Sequence, residues 1–126
     1  DRKGAVVRAK RIARTEITGA HRRALWDEDQ RANDEGIKTK LLHVSALIVG
    51  RTRATHAAKH GYLWPTRKAL QDWYQVDGNS VNCLCTTISA IVDDQGNILS
   101  KKLAKKMIEN KDKYLALVAK SSKVAK

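Results

Sequence analysis

Cys83 and Cys85, which are the two cysteines of the chain, stand one residue apart at the start of an apolar run. Residues i and i+2 of an extended strand point to the same face, so both thiols can face one neighbour. Their Cα atoms would lie about 6.5 Å apart, which is near the upper limit for a disulfide, whereas zinc accepts a wider approach. His56 and His60 are four residues apart and would share one face of a helix. The four residues could therefore form a Cys2His2 zinc site that joins this helix to the strand.

Two other interpretations of the cysteines stay open. Cysteine packs well as a small hydrophobic residue, so Cys83 and His56 could belong to a buried hydrogen-bond network with Arg53 and Asn82. Alternatively, Cys83 and His56 could form a catalytic dyad. No carboxylate stands at a motif position where it would orient the histidine. This absence argues against an enzyme.

The apolar pattern predicts an α+β fold, in which a long N-terminal helix packs on a small antiparallel sheet and a basic helix follows at the C-terminus. The first helix is expected over residues 4–35, ended by Gly36. Its predicted packing face is an alanine-rich stripe of Val6, Ala9, Ala13, Ile17, Ala20 and Ala24. Residues 38–48 and 84–92 are predicted strands. The second should be central, because its run is apolar on both faces.

The segments between and after these strands are expected to be less regular. Residues 51–60 predict a short helix, and residues 62–64 a strand or loop followed by an irregular arm to residue 78. The aromatic side chains of this arm could stack on bases, cover an edge of the core or cover a protein interface, and we expect the interface; they are Trp64, Trp73 and Tyr74. A second long helix is expected from near Leu99, with an apolar stripe of Leu103, Met107, Tyr114 and Val118 that can dock on the body or on a neighbouring subunit. The predicted division is a domain over residues 1–98 and a lysine-rich helix or tail over residues 99–126.

The charge of the chain favours polyanionic partners. There are 25 lysines and arginines against 13 acidic residues, which gives a net charge of +12. Residues 99–126 contain nine lysines and no arginine, and lysine suits loose phosphate contact better than base reading. We therefore expect sequence-independent contact with double-stranded DNA through Lys101, Lys102, Lys105, Lys106 and Lys113. Basic residues of the first helix are the alternative face, namely Arg8, Lys10, Arg11, Arg22 and Arg23. No apolar run approaches 18 residues, so no membrane partner is expected.

The order of several motifs resembles the Mu-F-like phage head morphogenesis family, whose members are minor head proteins of tailed bacteriophages. A helix bears Arg14, Thr15 and Glu16. A T-R-x-x-H-x-x-x-x-G motif follows with Thr52, Arg53, His56 and Gly61, and an N-C-x-C motif with Asn82, Cys83 and Cys85. The resemblance covers about residues 8–92. It departs from the family pattern at Val49 or Gly50, where an acidic residue is frequent, and at Leu84, where arginine is frequent.

The resemblance implies a virion component that is made in the bacterial cytoplasm, occurs in few copies and is associated with the portal and packaged DNA inside the capsid. Other head proteins or further copies of the chain would be additional partners. Four polar motif residues have two interpretations, namely Arg14, Glu16, Arg53 and Asn82. They could bind phosphate or a partner, or they could fix the fold, with Glu16 paired to Arg53 across the helix–strand interface. We favour the structural interpretation. Two other functions stay open as alternatives: a small nuclease or toxin-like hydrolase that uses His56, and a free, non-specific DNA-binding protein.

Overall fold

The computed structural model describes residues 1–81 and 83–124. Within these ranges the elements follow the order α1 (Arg2–Asp34), β1 (Thr39–Val44), α2 (Ala54–Ala58), β2 (Leu63–Trp64), α3 (Arg67–Gln75), β3 (Thr86–Ile91) and α4 (Lys101–Val124). A long first helix, a small antiparallel sheet and a C-terminal helix are present, which confirms the predicted α+β class. The division at residue 98 stays a prediction.

The strands form one antiparallel sheet in the order β2-β1-β3. The prediction that the strand of Cys83–Val92 is central was therefore wrong, because β1 lies between the other two. The cause is visible in the side chains. Ile88 and Ile91 of β3 are 37% and 54% exposed, so the apolar run of β3 is not covered on both faces. The central β1 instead carries consecutive buried residues at 41–43.

Helix α1 begins and ends as its sequence predicts but packs on a different face. Asp1 caps the first turn by accepting a hydrogen bond from the backbone N–H of Lys3, and Gly36 follows the end with a φ of 92°. The alanine-rich stripe is exposed throughout, so that prediction was wrong. The buried side chains of α1 are Arg22, Trp26 and Asp29. Alanines offer little apolar area, whereas one tryptophan buries a large surface, and this difference decides the face.

Specific hydrogen bonds hold α1 on the sheet. The indole N–H of Trp26 donates to the hydroxyl of Thr87 in β3 at 3.1 Å. The carboxylate of Asp29 accepts hydrogen bonds from the hydroxyls of Thr39 in β1, at 2.7 Å, and of Ser89 in β3. One acidic side chain of the helix therefore bridges two neighbouring strands.

Residues 67–75 form the helix α3, so the prediction of an irregular arm was wrong there. The hydroxyl of Thr66 caps it by accepting from the backbone N–H of Ala69 at 3.1 Å, and the side chains of Leu70 and Tyr74, four residues apart, are buried. The expected aromatic interface was also wrong. Trp64 and Tyr74 are each 5% exposed in the core, and Trp73 packs against them.

Helix α4 docks on α2 and on the turn that follows it. The buried Tyr114 donates from its hydroxyl to the carbonyl of Thr52 at 3.4 Å, and Lys111 donates to the carbonyl of Ala58 at 2.8 Å. Met107 lies so close to Gly61 that a Cβ at that glycine would be 3.3 Å from the Met107 Cβ. The predicted apolar stripe is confirmed, since Leu103, Met107, Tyr114 and Val118 are buried or half-buried.

Candidate functional site

The sulfurs of Cys83 and Cys85 meet the imidazole of His56 in the interior of the protein. The Nδ1 atom of His56 lies 3.3 Å from the Cys83 Sγ and 3.4 Å from the Cys85 Sγ. All three residues are buried, and their three ligand atoms lie within 4.8 Å of one another. Helix α2 supplies the histidine, and the segment just before β3 supplies both thiols. We call these three residues the thiol–imidazole cluster.

Asn79 fixes the orientation and the tautomer of His56. The side-chain amide of Asn79 donates to the carbonyl of Trp73 at 2.8 Å, which leaves its Oδ1 atom 3.2 Å from the His56 Nε2. Because an amide oxygen can only accept, Nε2 of His56 carries a proton, and in the neutral imidazole the lone pair is then on Nδ1. The lone pair of Nδ1 therefore points at the two sulfurs.

His60, the fourth predicted ligand, is not part of this cluster. Its Nδ1 atom accepts a hydrogen bond from the backbone N–H of Ser45 at 3.0 Å. The i, i+4 argument failed because α2 ends at Ala58 and the chain leaves helical geometry before residue 60. Burial lowers the pKa of His60, and the charge of Lys111 lowers it further. The structure thus brings together three of the four residues predicted to bind zinc.

The pKa values of the two thiols of the cluster are shifted in opposite directions. A hydrogen bond from the Cys85 thiol stabilises negative charge on Cys83 and lowers the pKa of Cys83, with further help from the backbone N–H of Cys85 and the charge of Arg22. The same interaction between the thiols, followed by burial, raises the pKa of Cys85. Cys83 is therefore the thiol that ionises more easily.

Arg53 positions the segment that leads into the cysteines. Its guanidinium donates to the carbonyl of Gly78 at 3.0 Å and also to the carbonyl of Val81. The predicted pairing of Glu16 with Arg53 was wrong: across the described ranges no ion pair joins them, and Glu16 lies on the exposed side of α1. Asn82 lies outside the described residues.

Arg14 lies beside the cluster rather than in it. Its side chain is exposed and lines an open cleft together with Thr15, Thr18, Arg51, Cys83 and Leu84. Motif residues from α1, from the segment of Arg51–His56 and from the cysteine segment are thus adjacent in space. Such proximity is expected if these three motifs form one site, or if they pack against one another.

Arg22, one of the residues of the alternative DNA face, is not available to DNA. It is 2% exposed, and its guanidinium carbon lies 4.1 Å from the centre of the Tyr74 ring. The exposed members of that set are Arg8, Lys10, Arg11 and Arg23. In contrast, all of the lysines predicted to contact DNA are exposed on α4, namely Lys101, Lys102, Lys105, Lys106 and Lys113.

A small cavity of about 20 Å³ adjoins the cluster, lined by residues 45–46, 51–53, 56 and 83–85. This is enough for about one water molecule and not for an organic substrate. Within the described part of the chain, the potential metal ligands grouped with His56 are Cys83 and Cys85. This group contains no aspartate or glutamate. The ionisable groups nearest to His56 in this group are thus two thiols.

Sequence reasoning missed Asn79 and Ser45, which both contact a histidine of this region. Asn79 belongs to the stretch Asp77–Gly78–Asn79–Ser80, whose composition predicts only a turn. No local pattern shows that its side chain reaches back to α2. Both contacts join residues that are at least 15 positions apart, so only the fold reveals them.

The fold and the cluster together define a small α+β protein with a buried thiol–imidazole centre and two highly charged helices. The model of the family described as Phage Mu protein F like protein matches residues 1–88, and the chain belongs to this family. Comparison with curated proteins and with solved structures gave no match. The family is one of phage head morphogenesis, so the chain is a phage head protein and a virion component whose partners include other head proteins. The match contains every motif residue described above and leaves α4 outside.

The helices of the described residues contain no span that is long and apolar enough to cross a membrane.

Proposed function

We propose that this phage head protein is a minor component that lies at the portal inside the capsid, contacts the packaged double-stranded DNA, and acts in head assembly and in DNA packaging or ejection. Membership of a phage head family supports the setting. The observation that supports the DNA contact is that one face of α4 packs on the body of the protein while the other face bears exposed lysines.

The two faces of α4 differ in chemistry. Tyr114, Lys111 and Met107 attach one face to the body of the protein. The lysines of the other face point to solvent, and Lys105 alone among the five has an acidic neighbour, Glu109, at 3.7 Å. An exposed pair at this distance contributes little and is easily replaced by phosphate. A rigid helix with an outward row of point charges suits the DNA backbone without reading bases.

The N-terminal half of α1 supports contact with another head protein. Ile12 and Ile17 are 64% and 70% exposed, and Val6 and Val7 are about half exposed. Exposed apolar side chains on one helix are typical of surfaces that bind a protein groove. We assign this helix half to the portal, and the lysine face of α4 to DNA.

The DNA contact is tested with charge-neutralised variants that keep the packing of α4. Replacing Lys101, Lys102, Lys105, Lys106 and Lys113 by glutamine should weaken binding to random-sequence duplex DNA by roughly tenfold or more, since phosphate contacts supply most non-specific affinity. The matched control replaces the exposed residues Arg8, Lys10, Arg11 and Arg23 by glutamine. If the control loses affinity and the α4 variant does not, the DNA surface is α1.

The portal contact is tested in assembled heads. Heads that form without a functional portal should contain little of this protein, and the variant Ile12→Ser/Ile17→Ser should be incorporated poorly into normal heads. The control is Leu115→Ser/Leu117→Ser, which changes two exposed apolar residues on α4. Normal incorporation into heads that lack the portal would contradict the proposal.

A further inference from the structure

The thiol–imidazole cluster has the geometry of a metal site without the metal. In a tetrahedral zinc site, Zn–S bonds of about 2.3 Å and Zn–N bonds of about 2.0 Å place sulfur and nitrogen ~3.5 Å apart. The two sulfur–nitrogen distances at His56 are 3.3 and 3.4 Å. The third distance, between the two sulfurs, is at most 4.8 Å, against ~3.8 Å in such a tetrahedron. Two of the three edges therefore already match a tetrahedral site.

The orientation of His56 is also the one that a metal ligand needs. Nδ1 of His56 has one lone pair, and two sulfurs lie within hydrogen-bond distance of it. Asn79 binds the opposite nitrogen of the ring, which is how metal-binding histidines are commonly held in one tautomer. A divalent ion between the three atoms would use the lone pair and both sulfurs at once.

The open side of the cluster offers a fourth position. The adjoining cavity of about 20 Å³ has room for about one water molecule. Ser45 also lines this cavity, and its buried hydroxyl interacts with the sulfur of Cys85. A water in this cavity would complete the coordination of a metal.

We propose that His56, Cys83 and Cys85 bind one Zn²⁺ ion, with water or the Ser45 hydroxyl as the fourth ligand, and that the ion fastens α2 to the segment that enters β3. Two thiols lose their protons to solvent when the ion binds, so Zn²⁺ with two thiolates and a neutral imidazole carries no net charge. A neutral complex suits this interior, because the exposed side chains of Arg51 and Arg53 beside it are already cationic. Thiolate and imidazole ligands in a four-coordinate arrangement favour zinc among the common metals.

The role assigned to the ion is structural. Three protein ligands and an open position also occur in catalytic zinc sites, but those admit a substrate. Here the enclosed cavity beside the cluster holds about one water molecule, and the open cleft that Cys83 also lines contains, among its described residues, no aspartate or glutamate that could act as a general base. The inference concerns the stability of the domain and does not depend on contact with DNA or with the portal.

The first experiment measures metal on the full chain. Protein purified without chelator should contain about one equivalent of zinc by mass spectrometry of the metal. After removal of zinc under reducing conditions, addition of Co²⁺ should produce a visible absorption spectrum typical of a four-coordinate cobalt–thiolate site. A folded protein that retains no zinc and gives no such spectrum with Co²⁺ overturns the proposal.

Variants distinguish the ligands from their neighbours. Cys83→Ser, Cys85→Ser and His56→Ala should each lose the cobalt spectrum, whereas His60→Gln should keep it, since His60 binds the Ser45 backbone. A folded His60→Gln protein that loses the metal as fully as His56→Ala overturns the three-ligand assignment. Should the ligand variants unfold, alkylation of the native protein decides. The thiols should react slowly, and much faster after chelation, while equal rates contradict the site.

Discussion

His43 is a buried titratable residue at the centre of the aromatic core. It is completely buried in β1, and its Nδ1 atom accepts a hydrogen bond from the Trp64 indole at 3.2 Å. Its ring also contacts those of Trp73 and Tyr74. Burial, with smaller effects from the charges of His56 and Arg22, lowers the pKa of His43 from 6.5 to about 3. The protein therefore folds with His43 neutral.

Acid should destabilise the fold through His43. Its folded pKa lies below its unfolded value, so between about pH 3 and 6.5 the unfolded chain binds more protons and stability falls as pH falls. The full shift corresponds to a loss on the order of 5 kcal/mol. His43→Asn keeps an acceptor for Trp64 and removes the titration, so its free energy of unfolding should depend less steeply on pH over this window.

Urea denaturation at several pH values measures this effect, with the exposed His21→Asn as the control. His60 adds a smaller contribution of the same sign, because burial also lowers its pKa. Identical pH dependence in the wild type and His43→Asn would show that another group governs acid unfolding.

At the scale of the elements, Gly61 determines how closely α4 approaches the turn after α2. Gly61 has a φ of 83°, and its Cβ position would lie 3.3 Å from the Met107 Cβ. Gly50 has almost the same φ, 82°, and no described atom lies within 4 Å of its Cβ position. The two glycines therefore share the backbone requirement and differ in the contact with α4.

Alanine at both positions separates these two effects. Gly50→Ala should cost about 1 kcal/mol, because an alanine is strained in the left-handed region. Gly61→Ala should cost about 1 kcal/mol more, since Met107 must move as well. Unfolding free energies from urea titration give both values. In the Met107→Gly background, which removes the Cβ of residue 107, the additional cost of Gly61→Ala should disappear. An unchanged additional cost would show that its cause lies elsewhere.

The attachment of α1 to the sheet is a second element-scale feature. Trp26→Phe keeps most of the buried apolar area and removes the hydrogen bond to Thr87. It leaves a buried hydroxyl with one partner fewer, which should cost about 1–2 kcal/mol in the free energy of unfolding. Thr87→Val in the same background should add little, because both partners are then absent. A full additive cost for the two changes would contradict a direct interaction.

For the whole molecule, the net charge of +12 is the property that governs contact with DNA. If all five exposed lysines of α4 touch phosphate, affinity should fall about 500-fold between about 50 and about 200 mM salt. The glutamine variant of these lysines should show a much flatter dependence. Fluorescence anisotropy with two unrelated duplexes measures both the slope and the lack of sequence preference. A steep slope that survives in the variant would assign the contact to other basic residues.

The sequence by itself determined the elements whose signals are local. The end of α1 at Gly36, the apolar stripe of α4 and the β-run before residue 92 all follow from residue type and spacing. The order of the motifs was enough to indicate the family, because that order is a property of the chain and not of its packing. Net charge is likewise a sum over residues, so the sequence alone was enough to identify the basic helices.

Only the tertiary structure decided which faces are buried and which residues meet. The α1 stripe was misjudged because alanine spacing is a weak signal, whereas Trp26 and Asp29 have specific partners in the sheet. The place of β3 at an edge depends on which strand lies beside β1, and this choice involves residues far apart in sequence. His56 reaches both cysteines across more than 25 positions, while His60, four residues away, turns to Ser45 because α2 ends between the two histidines. The sequence showed the candidate residues of the cluster. Which of them meet was determined by the point at which the short helix α2 ends.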